Sequence, residues 1–167
     1  MKLTHRLILT GVPLAGLAAA PTAAATLDLT IAVPRIAVAE YHAPYVAIWV
    51  EQSGQPARTV SVWYDTGKRN NAGTKWLRDV RQWWRASGRT GKWAADGVSG
   101  ATRAPGTHKL TVSPDLAPGR YTLVIEAARE AGGRELLRLP FALGAAPVRA
   151  AARGDGELGQ VTLVARR

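Results

Sequence analysis

The chain has 167 residues and a formal net charge of +10, and it contains no Cys and one Met, the initiator. Disulfides, thiolate metal sites, cysteine nucleophiles and thioether copper ligation are therefore excluded from the mature protein. A basic balance of this size suits solubility first, and next an anionic surface or acidic partner. No nucleic-acid motif accompanies it.

Residues 1–25 read as a secretory signal peptide. Lys2 and Arg6 precede an apolar run broken by Gly and Pro, and Ala23-Ala24-Ala25 is a small-x-small cleavage site. The run is too short and interrupted to predict a membrane span. Removing Lys2 and Arg6 lowers the formal charge to +8. What remains, residues 26–167, is expected to be one exported, periplasmic domain with a single core.

Seven segments alternate apolar and polar residues with β-branched enrichment and predict strands. They are 26–33, 45–52, 58–64, 107–113, 120–130, 136–143 and 159–165. Turn residues separate them, and Gly132-Gly133 marks a hairpin. The spacing predicts an all-β fold, an immunoglobulin-like antiparallel sandwich of about seven strands. "PGRYTLVIEA" is similar to the Pro-Gly-x-Tyr opening of a strand in secreted sandwich domains.

One segment breaks the two-residue period. Over 74–87, Trp76, Leu77, Val80, Trp83 and Trp84 fall at helical spacing, with Arg78, Arg81 and Arg85 opposite. This predicts a short amphipathic helix with Thr74 as N-cap and Gly88 as stop. The arginine stripe is a solvated face, or else it meets an acidic partner or anionic headgroups. Arg153-Gly154-Asp155 reads as a turn and not as an adhesion motif.

After the helix comes "DGVSGATRAPG", 96–106, a loop nearly bare of reactive side chains. Asp96-Gly97-Val98-Ser99-Gly100-Ala101-Thr102 resembles the Asp-x-x-Ser/Thr-Gly-Ala-Thr acceptor of exported flavin-carrying domains, including subunits of ion-pumping NADH:quinone reductases. The resemblance implies that an ApbE-type flavin transferase moves FMN from FAD onto Thr102 through a phosphoester. Ser99, Gly100 and Ala101 would flank the acceptor for recognition, and Asp96 would be the motif carboxylate. A Thr hydroxyl is a weak nucleophile that a transferase must activate, so the acceptor needs only an accessible, uncrowded loop. The alternative is an ordinary turn, in which Ser99 or Asp96 caps the backbone and Thr102 opens a strand.

Arg103 is a candidate for the FMN phosphate or for a salt bridge. Trp93 either stacks on the ring or packs under the loop, and His42 in "YHAPY" could touch a cofactor. Ser99, His108 and Asp115 lack a nucleophile-elbow pattern, so a hydrolase is discounted. The two His of the mature chain, His42 and His108, have no ligand spacing, and no metal site is expected.

More broadly, "APYVAIWVE", "VSVWYD", "KWLRDVRQWW", "YTLVIEAARE" and "LGQVTLV" together resemble a bacterial family of predicted periplasmic proteins without assigned function. Its members are often encoded beside PepSY-type membrane proteins and flavin transferases, which implies extracytoplasmic electron transfer. The leading expectation is a non-enzymatic electron carrier with FMN on Thr102. Its rivals are a cofactor-free interaction module docking on a membrane partner, with peripheral contact to the membrane surface, and a periplasmic sensor or carrier of a small ligand or metal.

Overall fold

The computed structural model describes residues 24–91, 93 and 99–167. Among the described residues nine strands form two sheets: β1 (Thr26–Val33), β2 (Tyr45–Glu51), β3 (Arg58–Tyr64), β4 (Gly100–Ala101), β5 (Gly106–Val112), β6 (Gly119–Ala128), β7 (Arg134–Leu143), β8 (Val148–Arg153) and β9 (Gln160–Arg166). One sheet has the order β5-β1-β9-β8 and the other β4-β3-β2-β6-β7. β1 lies beside β5, and β2 beside β6, each antiparallel. These are the neighbour relations of strands B–E and C–F in an immunoglobulin-type sandwich. β9, from the end of the chain, takes the place beside β1.

The alternation of β1 explains its position. Leu27, Leu29, Ile31 and Val33 are buried and their intervening neighbours are not. With Val161, Leu163 and Ala165 of β9 they meet Val46, Ile48, Leu123, Ile125, Leu139 and Phe141 of the other sheet. Tyr121 opens β6 and donates its hydroxyl hydrogen bond to the Ala117 carbonyl at 2.7 Å, the tyrosine corner of such sandwiches. The "PGRY" segment therefore acts as its sequence implies.

A second core lies on the outer side of the five-stranded sheet. Ala47, Trp49, Val62 and Val124 pack there against Leu77, Val80 and Trp83. β2 consequently reads as a nearly unbroken apolar run, because both of its faces are covered. A register shift opposite Ile48 and Trp49 leaves Val60 unpaired in β3. Val60 enters the inner core, while Val62, two residues on, enters the outer one. A bulge re-aims side chains in this way.

The covering layer differs from the expected helix over 74–87. It is a 3₁₀ winding over Arg69–Asp79, a break at Val80, and a six-residue helix, α1 (Arg81–Ala86). Asn70 and Asn71 sit in the left-handed region, which Asn tolerates, and they kink its start. Thr74 is not the cap, since its hydroxyl bonds to the Asn71 carbonyl. Leu77 of the winding, Val80 at the break and Trp83 of the helix are the layer's buried apolar side chains and pack on the sheet. Trp76 turns away from it and is 36% exposed. Gly88 follows the helix as expected, and a Cβ there would come within 2.9 Å of the Trp83 and Trp84 rings.

The two short strands β4 and β8 were not foreseen. β8, "VRAAAR", is Ala-rich, and alanine is depleted in strands. It forms an edge beside β9, where tertiary pairing overrides propensity. The Gly132-Gly133 hairpin is present, but its left-handed residue is Ala131. Glu135 of β7 holds the connection between β8 and β9, its carboxylate accepting the amides of Asp155, Gly156 and Leu158 at 2.7–3.3 Å. The Arg-Gly-Asp turn is thus bound internally by its own backbone.

Candidate functional site

Ser99 is the first motif residue described after Trp93, and Asp96 lies outside the described residues. The Ser99 hydroxyl accepts the Val62 amide at 3.0 Å and donates to the Trp93 carbonyl at 3.4 Å. That anchors the end of the loop to β3. Gly100 and Ala101 then pair parallel with Trp63 and Tyr64 as the edge of the five-stranded sheet. The Thr102 amide extends the ladder by donating to the Tyr64 carbonyl at 3.0 Å. A Cβ at Gly100 would meet nothing within 4 Å.

Thr102 is half-buried and borders a cleft of about 310 Å³. Its other walls are His42, Ala43, Tyr45, Asp65, Lys68 and Glu130. With Thr102, four separate chain segments line the cleft, brought together by the β3–β2–β6 neighbour relation. The Lys68 ammonium lies 3.8 Å from Asp65 and 3.9 Å from Glu130, while His42 Nε2 is 3.2 Å from Glu40. Tyr45 donates to the Gly73 carbonyl at 3.1 Å. Burial pushes the Tyr45 phenol above its ordinary value, which keeps it the neutral donor. The cleft therefore offers a hydroxyl, an imidazole, a cation and two carboxylates, open to solvent. Of these, the sequence had pointed to Thr102 and His42. Lys68 and Asp65 carry no local signal, since nothing in their own segment says what will fold over them.

Arg103, expected to meet a phosphate or a carboxylate, forms no salt bridge among the described residues; its guanidinium lies 4.4 Å from the centre of the Trp63 ring. The His108 ring meets Trp63 edge-on at 5.9 Å. Trp93 packs against the outer core, donating Nε1 to the Gly88 carbonyl at 3.1 Å, with its ring edge-on to Tyr64 and Trp83. It lines a second groove of about 660 Å³ with Thr59, Ser87 and Tyr121, separate from the Thr102 cleft. His108 Nε2 contacts the Ala104 carbonyl at 2.7 Å, while the Ser99 hydroxyl bonds to Val62 and Trp93. Among the described residues no three His, Asp or Glu side chains stand close enough to hold a metal ion.

The family model of predicted periplasmic proteins, DUF2271, matches residues 26–160. The chain belongs to the DUF2271 family. That range begins at β1 and runs to the first residue of β9, so the DUF2271 match embraces the motif edge, the outer core and all of the inner core but Ala25 and the β9 side chains. The periplasmic description of DUF2271 agrees with the export expected from the leader, and among the described residues no helix is long and apolar enough to cross a membrane. No curated protein and no solved structure matches the chain.

Proposed function

We propose that this periplasmic protein is an electron carrier that bears FMN esterified to Thr102. The observation that supports the reading most directly is the position of Thr102, half-exposed at a sheet edge and facing a polar cleft beside an uncrowded Gly100. In the group transfer, the Thr102 oxygen attacks the FMN phosphorus of FAD, the pyrophosphate bond breaks, and AMP leaves. The hydroxyl proton passes to a base of the ApbE-type transferase, because a threonine hydroxyl is not acidic enough to react alone. Ser99 fixes the approach to the acceptor by its bond to β3, and Gly100 and Ala101 keep the backbone clear. Lys68, between Asp65 and Glu130, is the lysine of the cleft that a phosphodiester would meet, and His42 offers a ring nitrogen for hydrogen bonding. Once attached, the flavin ring supplies reversible electron uptake. The chain itself orients the group and presents it to a PepSY-type or other membrane redox partner, and it catalyses no turnover of its own.

Coexpression with a flavin transferase tests this. The exported protein should be yellow and gain the mass of an FMN group that survives denaturation. Thr102→Ala should lose both colour and mass while keeping its unfolding midpoint. Colour and added mass persisting in that variant would remove Thr102 from the site, and their absence from the native protein would leave a cofactor-free docking module.

A further inference from the structure

The layer that covers the five-stranded sheet holds much of the protein's charge. Residues 69–89 carry Arg69, Lys75, Arg78, Arg81, Arg85 and Arg89 against one acid, Asp79. Six cations less one anion leave +5, half of the formal +10 of the whole chain. All six are exposed. Among the described residues none of them lies within ion-pairing distance of a carboxylate. Among the described residues, Arg78 and Arg89 bond to the carbonyls of Lys75 and Arg85 in the same segment. The apolar side chains of the layer, Leu77, Val80 and Trp83, are spent on the sheet beneath. The exception is Trp76, 36% exposed, with the Lys75 ammonium 4.9 Å from its ring centre.

We infer that this face seats the protein on an anionic lipid surface. Protein–protein interface cores are depleted in charge and built around buried aromatic anchors. Here the cations are spread along the layer and, among the described residues, none pairs with an acid; the groove that opens beside Trp76 and Arg81 is shared with the charged side chains of Asp79, Arg129, Glu130 and Arg134. A diffuse field of guanidinium groups matches a diffuse array of headgroup phosphates, which attract each nearby Lys or Arg. A half-exposed indole among cations is the side chain that sits at the level of headgroups. Attachment of this kind is reversible and peripheral, and it rests on the layer alone, independent of any group on Thr102.

The test uses the exported form of the chain, made without a flavin transferase and mixed with sedimenting vesicles. It should bind vesicles holding about 30% phosphatidylglycerol in phosphatidylcholine and not those of phosphatidylcholine alone. Raising NaCl to about 0.5 M should reduce binding about tenfold or more, since the screening length falls below the depth of the layer. The triple variant Arg78→Gln, Arg81→Gln, Arg85→Gln should bind about a hundredfold more weakly with an unchanged melting curve. Trp76→Ala should weaken binding less. The double variant Arg149→Gln, Arg153→Gln, on β8 of the other sheet, should bind as the native protein does. Equal binding to neutral vesicles, native binding by the triple variant, or an equal loss in the β8 variant would each overturn the inference. So would failure to bind anionic vesicles, which would turn attention to an acidic protein partner.

Discussion

Glu126 Oε2 accepts the backbone amide of Trp83 at 2.9 Å and that of Gln82 at 2.8 Å, although the Glu126 side chain is fully buried. A helix leaves its first amides without internal partners, and Val80 at the break has no side-chain oxygen to offer them. β6 supplies the missing acceptor from across the outer core. The other oxygen, Oε1, has no hydrogen bond among the described residues and lies 3.8 Å from Arg134. One carboxylate thus fastens the covering layer to the sandwich.

Glu126→Ala should accordingly destabilise the protein by about 2–3 kcal/mol, the cost of losing hydrogen bonds to a charged acceptor and stranding two amides. Glu126→Gln keeps an oxygen for them and should cost about 1 kcal/mol. Urea unfolding gives the difference. An Ala variant as stable as the native protein would show that the layer holds itself in place.

Two glycines near the site should behave oppositely. A Cβ on Gly73 would lie 1.9 Å from the Asp65 carbonyl oxygen, a backbone atom that has nowhere to go. Gly73→Ala should therefore shift the cleft wall and lower stability by about 2 kcal/mol or more. Gly100→Ala meets open space and should leave stability within about 0.5 kcal/mol. Because it leaves the fold intact, its effect on flavin loading separates recognition by the transferase from folding. A severe loss of stability in Gly100→Ala would contradict the geometry of β4.

Asp28 reports on the four-stranded sheet. The Thr111 hydroxyl of β5 donates to it at 2.7 Å, and Arg166 of β9 bonds its other oxygen. The Thr111 bond, then Arg166, holds the carboxyl below its ordinary value of 3.8. A depressed carboxyl adds stability above the unfolded value, about 3.9, and that contribution is lost as pH falls through the folded value. Carboxyl NMR titration should find the midpoint below 3.8, and Thr111→Val should move it upward. A midpoint at or above 3.8 in the native protein would mean that the two bonds do not persist in solution.

Much of the sandwich was legible because its strands obey a two-residue period. β1 was predicted with its observed limits, and Tyr121 could be read from the turn before it. The helical layer was legible in place but not in geometry. Five side chains at helical spacing fit an α-helix on paper, yet Asn70, Asn71 and Val80 interrupt the winding and release Trp76 to solvent. β8 gave no signal, since Arg and Ala become a strand there only by pairing with β9.

The motif itself is linear and needed no structure to be noticed. Its surroundings were hidden. That Thr102 faces Lys68, Asp65 and Glu130 follows from β3 and β6 flanking β2, a non-local arrangement that no single segment encodes. Periodicity, charge and short motifs are properties of neighbours along the chain, so the amino-acid order alone determined the fold class, the basic layer and the choice of Thr102 as the residue to test. Which side chains share a cavity depends on sheet order and on a one-residue bulge. Those are decided by packing two cores at once, and only the tertiary structure contains them.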